Sequence, residues 1–145
     1  MILFSSDLET ILENKIIMNK LIIDVSGEKI FLMIITDNDI YNITKENTKL
    51  NYEKLTLIIN VFLNSHKLSL KDINKIYLNR GPGSFAGIRN SLSIVKAFNL
   101  TNKIDYYCFS FEDFKEEKDL KYENIPDLCE KFKIEKNLIN PIYLG

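Results

Sequence analysis

A glycine-rich turn between an apolar run and a helical pattern is the feature that most restricts how this chain can fold. The stretch NRGPGSFAGIRN, residues 79–90, holds both arginines of the 145-residue chain and three of its five glycines. Pro82 fixes one backbone angle, whereas Gly81 and Gly83 can adopt conformations that are closed to other residues. Ser84 is placed to cap the helix that follows. The sequence therefore predicts a rigid strand-to-helix turn, which we call the glycine corner (residues 81–84).

The elements on either side of the glycine corner predict a mixed β-sheet covered by helices. The turns between the first three predicted strands are short, which favours an antiparallel meander because parallel neighbours would need longer crossovers. Together with the helices, this order indicates an α/β fold. The predicted elements are strands at residues 21–26, 28–36 and 39–46, a helix at 51–65, a strand at 75–80, a helix at 84–99 and a strand at 104–110.

Both predicted helices carry more apolar or small side chains than one buried face requires. The first helix has one stripe of Tyr52, Leu55, Ile59 and Phe62 and a second stripe of Leu57, Ile58 and Val61. The second helix has an apolar face of Phe85, Ile88, Leu92 and Val95 and a small-residue stripe of Ala86, Asn90, Ser93 and Ala97. A helix in a small domain normally keeps one face in water. We therefore expect these additional faces to meet another helix or another protein.

The glycine corner also has features of an anion site, and both interpretations stay open from the residues alone. Glycine-rich turns at helix N-termini present free N–H groups, and Arg80 or Arg89 could add a fork for phosphate or carboxylate. However, the corner lacks the lysine and hydroxyl of GxxxxGK[ST] and does not match GxGxxG. The simpler interpretation is a tight turn that aims the second helix, with Gly87 allowing close packing.

Candidate catalytic groups are few. Ser84 follows a glycine, but GPGSF is not GxSxG, and the single histidine, His66, falls in a polar loop where a solvated side chain is expected. Asp24 ends the first predicted strand, where a carboxylate could hold a metal or a water molecule. The alternative, which we favour, is an Asx-type turn residue that serves the bend at Ser26 and Gly27. The sequence predicts no catalytic residue and no metal ligand.

Composition argues against several other classes of protein. The formal net charge is -1 and the lysines are scattered, so direct nucleic-acid binding is not expected. The apolar runs are far shorter than the ~20 residues that cross a bilayer, and the N-terminus does not resemble a signal peptide, which favours the cytoplasm. Cys108 and Cys129 are expected to be ordinary reduced thiols.

The glycine corner and its flanks resemble the TsaB (YeaZ) family. Family members resemble GRGPGSFTGLRIG followed by a small-residue helix containing AKG, and here the stretch reads NRGPGSFAGIRNSLSIVKAF. LIIDVS resembles the family's first strand with its Asp-Thr-Ser turn, and NYEKLTLIINVFL resembles a helix that begins His-Ser-Glu. The tail PIYLG resembles the closing Pro-x-Tyr-Leu.

The sequence departs from the family pattern at a few positions. Asn51 stands where the family often has histidine, and Asn90 and Ser91 replace Ile-Gly. The like residues are Arg80, Gly81, Pro82, Gly83, Ser84, Phe85, Gly87, Arg89 and Lys96.

This resemblance implies a fold and a role. The fold is a single actin-like (ASKHA, ribonuclease H-like) lobe at residues 18–114, preceded by an N-terminal extension at 1–17 and followed by a short remnant of a second lobe at 115–145. The role is a non-catalytic scaffold that pairs with the catalytic subunit TsaD in making threonylcarbamoyladenosine in ANN-reading tRNAs. ATP and metal would belong to TsaD and to a separate ATPase, TsaE, and this chain would meet tRNA only indirectly.

The resemblance also assigns roles to residues. Arg80 and Arg89 become candidates for an interface ion pair or an anion near the junction with TsaD. The implied partner-binding residues on the two helices are Tyr52, Leu55, Leu57, Ile58, Val61, Phe62, Ala86, Arg89, Asn90, Ser93 and Ala97. The alternatives are a small ATPase that uses Asp24 and the glycine corner, a glycoprotease-like hydrolase, and a module in which two copies pair the same helices. Residues 1–17 are expected to form a short amphipathic helix.

Overall fold

Five strands form one mixed sheet in the computed structural model, which describes residues 18–143. The helix expected at residues 1–17 lies outside the described residues. The strands are β1 (Lys20–Asp24), β2 (Lys29–Ile35), β3 (Ile40–Glu46), β4 (Lys75–Asn79) and β5 (Asp105–Phe109), in the order β3-β2-β1-β4-β5. β1 to β3 pair antiparallel, and β4 pairs parallel with both β1 and β5. The antiparallel meander predicted for the first three strands is confirmed.

Burial along the strands follows their position in the sheet. β1 and β4 are buried over their last four residues, as expected for apolar strands that are covered on both faces. β3 lies at the edge, its side chains alternate in exposure, and it ends in the charged pair Lys45 and Glu46. Charged side chains on an edge strand discourage pairing with another chain.

Four α-helices accompany the sheet among residues 18–143, and the one predicted over residues 51–65 is divided in two. The helices are α1 (Lys49–Glu53), α2 (Leu55–Ser65), α3 (Phe85–Asn102) and α4 (Ile125–Lys131). α1 begins two residues earlier than predicted because the Thr48 hydroxyl accepts a hydrogen bond from the Asn51 amide. Lys54, with φ -100 and ψ 17, then separates α1 from α2. Between residues 18 and 143, no helix has both the length and the apolar character needed to cross a bilayer.

Helices α2 and α3 cover one face of the sheet and share a single core with it. Their buried apolar residues are Leu55, Ile59, Phe62 and Leu63 in α2 and Ile88, Leu92, Val95 and Phe98 in α3. The prediction that Phe85 belongs to this buried face is wrong, because its side chain is 53% exposed. Phe85 is the first residue of α3, where the helix leaves the glycine corner, and its ring packs against Tyr143 instead, with ring centroids 4.6 Å apart.

The opposite face of the sheet is covered by the segment that follows β5. Phe114 and residues of α4 pack there against Ile22, Tyr77 and Phe109, in a second apolar cluster. In the sequence, FEDF predicts a helix start, and residues 116–140 have weak helical periodicity around residues 128–132. The structure has a 3-10 helix at Phe111–Phe114 and α4 at these positions. The central strands of the sheet are therefore buried on both faces.

Both cysteines are free, as predicted, and both are buried. Burial raises the pKa of Cys108 and of Cys129 from 9.0 to about 12. At pH 8 we expect iodoacetamide to alkylate the native thiols about 1,000-fold more slowly than those of the unfolded chain, because the thiolate is the reactive form. The raised pKa also implies that stability is full below pH 9 and falls as the pH rises toward 12. Equal alkylation rates in buffer and in urea would contradict this.

Candidate functional site

The glycine corner joins β4 to α3 and packs against two other segments. Gly81 has φ +111, and a Cβ there would lie under 3.0 Å from the carbonyl oxygen of Ile142. Gly83 does not have a positive φ. A Cβ on Gly83 would instead lie under 3.0 Å from the Ser26 carbonyl oxygen, since the backbone of the β1–β2 turn passes there. Gly81 is therefore required by its positive φ, and Gly83 is required because the Ser26 backbone passes close to it.

Ser84 caps α3, as predicted. Its hydroxyl oxygen accepts a hydrogen bond from the Gly87 amide at 3.2 Å. Removing such a cap typically costs about 1 kcal/mol. We therefore expect Ser84→Ala to lower the free energy of unfolding in urea by about 1 kcal/mol, whereas Ser93→Ala, an exposed serine in the same helix, changes it by less than about 0.5 kcal/mol. An equal effect of the two substitutions would contradict the capping role.

The C-terminal tail lies against the glycine corner. The Ile142 amide donates to the Arg80 carbonyl at 2.8 Å, and Tyr143 forms an isolated parallel bridge with Gly83. Arg80 Nη1 donates to the Asn140 carbonyl at 3.0 Å. The tail that resembles the family's closing motif therefore contributes to the shape of the corner, and the rings of Phe85 and Tyr143 meet beside it.

The two arginines of the corner have different environments. Arg80 Nη2 lies 2.7 Å from Asp113 Oδ1, and both side chains are largely buried. The ion pair of Arg80 is thus internal, which corrects the expectation that Arg80 would pair across an interface. Arg89 is exposed, and its guanidinium lies 6.0 Å from the centre of the Phe85 ring. No acidic side chain among residues 18–143 forms an ion pair with Arg89.

Asp24 is a turn residue with a saturated carboxylate. Its Oδ1 accepts from the Ser26 amide at 3.0 Å and from the Ser26 hydroxyl at 2.6 Å. Its Oδ2 accepts from Asn79 Nδ2 at 2.9 Å and from the Tyr122 hydroxyl at 2.6 Å. The Asx-type turn that we favoured is confirmed. A carboxylate has about four acceptor sites, so these four bonds leave little capacity for a metal ion or a catalytic water.

Asn79 and Tyr122 are the two Asp24 partners that sequence reasoning missed. Burial and the neighbouring Asp24 carboxylate raise the pKa of Tyr122, so its hydroxyl stays protonated and donates. Its ring stacks on Phe31 with centroids 4.1 Å apart. Beside these residues lies an open cleft of about 680 Å³ at the ends of β1 and β4. Within residues 18–143 there is no group of three side chains suited to hold a metal ion.

The outer surface of α2 and α3, which we call the helix surface, holds most of the predicted partner-binding residues. Leu57 and Val61 are each 59% exposed, and together with Ile58 and Ile43 they line a groove of about 360 Å³ between α2 and β3. Ser93 and Ala97 are exposed on α3, and Ala86 is half-buried. Leu100, which was not predicted, is also exposed there. The helix surface is therefore apolar along α2 and built of small side chains along α3.

Four residues of the predicted partner-binding set are used inside the chain. Leu55 and Phe62 are buried in the core, so they are not available at the helix surface. Asn90 Nδ2 donates to the Tyr52 carbonyl, which ties α1 to α3, and the Tyr52 side chain packs against the core. The spacing correctly predicts two apolar stripes, but spacing alone does not show which of the two faces the sheet.

His66 also differs from its prediction. A solvated side chain was expected, but the imidazole is half-buried and stacks on Tyr41 with ring centroids 3.8 Å apart. It also meets the edge of Phe62 at 5.4 Å. His66 follows the last residue of α2, next to the start of β3, and the two rings fix that end of the helix to the sheet.

Comparisons with known proteins agree with this fold. Residues 42–110 match the family model described as "TsaD: tRNA N6-adenosine threonylcarbamoyltransferase". The "tRNA threonylcarbamoyladenosine biosynthesis protein TsaB" of Buchnera aphidicola subsp. Schizaphis graminum (strain Sg) is 31% identical over 90 residues, which are 62% of this chain and 43% of that protein. The protein of the same name from Buchnera aphidicola subsp. Baizongia pistaciae (strain Bp) is 32% identical over 53% of this chain and 35% of its own length.

Solved structures share the fold. YeaZ from Pseudomonas aeruginosa matches 64% of this chain and 44% of its own, with a TM-score of 0.60 and 19% identity. A second structure, described as a protein with similarity to peptidase YeaZ from Pseudomonas aeruginosa, matches equally well. The predicted single α/β lobe of the ASKHA class is confirmed. The chain is thus similar in sequence to TsaB proteins and shares the fold of YeaZ, and it spans less than half the length of the relatives it matches.

Proposed function

We propose that this chain is a non-catalytic scaffold that pairs with TsaD and supports the formation of threonylcarbamoyladenosine in tRNA. The observation that carries the proposal is the exposed apolar stripe of Leu57 and Val61 on α2, a helix whose opposite stripe is fully buried. Fully burying one such side chain contributes about 1.5–3 kcal/mol, so water disfavours a helix that is apolar on two sides. A partner that covers this stripe removes the penalty.

The helix surface suits a partner of the same fold. Small side chains at Ser93 and Ala97 let a second backbone approach α3 closely, and α2 offers exposed apolar area at Leu57 and Val61. The match of residues 42–110 to the TsaD family model covers all of α1, α2 and α3, so a TsaD subunit would present related helices. Two similar surfaces can pair about an approximate twofold axis, which buries the same helices of both subunits.

The internal bonding of the corner supports a non-catalytic role. Two of its three N–H groups donate within the chain: Gly81 N donates to Asn79 Oδ1 at 2.9 Å, and Ser84 N donates to the Ser26 carbonyl at 2.8 Å. A phosphate cradle needs free N–H groups. With the Asp24 carboxylate saturated as well, the corner has a structural explanation that requires no bound nucleotide.

The test is a tRNA-modification assay reconstituted with TsaD and the other components from the same organism. We expect threonylcarbamoyladenosine to form at least tenfold faster when the chain is present. The Asp24→Asn variant, if folded, should support modification at the same rate as the unaltered chain, because Asp24 has no catalytic role in this proposal. A modification rate that does not depend on the chain would contradict the proposal.

A small ATPase is the second candidate, and the cleft beside Asp24 is the observation that favours it. Purified chain incubated with ATP and magnesium separates the two candidates. The scaffold proposal predicts no turnover above the rate of a buffer control. ATP hydrolysis that disappears in Asp24→Asn would overturn it.

A further inference from the structure

A second recess lies on the face of the sheet away from the helix surface. It has a volume of about 310 Å³ and is formed by the side chains of β4 and β5 on one side and the C-terminal half of α4 with the turn after it on the other. It is remote from the glycine corner, which lies at the opposite end of β4. Its polar lining residues are Lys75, Tyr77, Tyr107, Cys129, Glu130 and Lys133.

Tyr77 is the buried polar group of this recess. Its side chain is only 4% exposed, and it lines the recess through the part of its surface that remains accessible. Among residues 18–143 no group forms a hydrogen bond with its hydroxyl. Buried tyrosines normally find such a partner, as Tyr106 does with the Asn137 carbonyl at 3.1 Å and Tyr122 with Asp24. The Tyr77 hydroxyl thus has no hydrogen-bond acceptor within residues 18–143 and is accessible from the recess.

The other polar groups of the recess are mostly donors too. Lys75 Nζ lies 5.8 Å from the centre of the Tyr107 ring, and Lys133 lines the opposite wall. Neither lysine forms an ion pair within residues 18–143, and the recess has a single carboxylate, that of Glu130. Two ammonium groups and two phenol hydroxyls therefore line the recess with one carboxylate, and the carboxylates of Asp105 and Asp127 lie near its two tyrosines. A ligand that satisfies them must be rich in acceptors and negatively charged.

We propose that this recess binds a small oxyanion of the carboxylate or phosphate class, which accepts a hydrogen bond from the Tyr77 hydroxyl and lies between Lys75 and Lys133. Burial raises the pKa of Tyr77, so its hydroxyl stays protonated and can donate a hydrogen bond at neutral pH. The site is independent of the pairing surface on α2 and α3, because the sheet separates the two. Its occupancy and the pairing with TsaD can therefore be tested separately.

Titration of the full chain followed by amide NMR tests this inference. Succinate and inorganic phosphate are added separately at constant ionic strength, with sodium chloride as the reference. We expect at least one of the two anions to produce saturable shifts centred on Lys75, Tyr77 and Tyr107. Saturation by succinate alone, phosphate alone or both identifies the source of the oxyanion and supports the proposal in each case.

Three variants define the site. Tyr77→Phe removes only the hydroxyl, and Lys75→Gln removes only a charge at the edge of the sheet; each should weaken binding at least tenfold. Tyr106→Phe is the matched control, since it removes a hydroxyl from a buried tyrosine of β5 that is already hydrogen-bonded, and it should bind as the unaltered chain does. Shifts no larger than those caused by chloride, or equal affinity in Lys75→Gln and the unaltered chain, would overturn the proposal.

Discussion

Replacing Gly81 by valine is expected to lower the free energy of unfolding by about 3–5 kcal/mol, because two separate costs add. A side chain at φ +111 is strained in itself, and the new Cβ would lie under 3.0 Å from the Ile142 carbonyl oxygen. The oxygen belongs to the backbone of Ile142, which cannot rotate away from the new Cβ as a flexible side chain could. Since small domains are stable by about 5–15 kcal/mol, much of the stability would be lost. Urea denaturation followed by circular dichroism measures it.

Two further glycine substitutions separate the cost of a strained φ from the cost of a steric clash. Gly27→Ala is the matched control, because a Cβ at Gly27 would meet nothing within 4 Å, and we expect a change of less than about 0.5 kcal/mol. Gly83→Ala should destabilise the fold through the contact with the Ser26 carbonyl, without the strain of a positive φ. A Gly81→Val variant with the denaturation midpoint of the Gly27→Ala control would contradict the structure of the corner.

Replacing both Leu57 and Val61 by aspartate is expected to weaken pairing with TsaD at least about 100-fold, since buried charges in an apolar contact are unfavourable and the apolar area is lost as well. Both side chains are 59% exposed in the chain alone, so its own stability should hardly change. Affinity is measured by isothermal titration calorimetry, and stability of the same sample by urea denaturation.

The matched control for this pair is Leu120→Asp. Leu120 is also an exposed leucine, but it lies in the segment between β5 and α4, outside the helix surface. It should leave the affinity for TsaD unchanged. If the double variant binds TsaD as tightly as the control does, α2 is not part of the contact. If both weaken binding equally, the loss reflects charge in general and not the helix surface.

Features set by neighbouring residues could be predicted from the sequence. The antiparallel meander follows from short turns between apolar runs, and the capping of α3 follows from Ser84 three residues before Gly87. Asp24 at the bend before Ser26 was likewise readable, because an Asx-type turn involves only residues two apart. These interactions depend on local geometry, which the order of residues specifies directly.

Contacts between distant segments could not be predicted. Asp24 and Tyr122 lie 98 residues apart, and Tyr122 falls in a charged stretch with no clear periodicity. The same holds for Arg80, which pairs with Asp113 and therefore does not point toward a partner. Phe85 has helical spacing with the core residues, yet it is exposed because the tail at Tyr143 packs beside it. In each case the contact joins segments that are far apart in the sequence, and no local pattern in either segment indicates it.

Sedimentation velocity of the full chain with TsaD from the same organism tests the pairing most directly. With both proteins at micromolar concentration, we expect a single faster boundary that contains one copy of each, and we expect the Leu57→Asp/Val61→Asp variant to sediment separately from TsaD. Two independent boundaries for the unaltered chain and TsaD, or a chain that associates only with itself, would contradict the account.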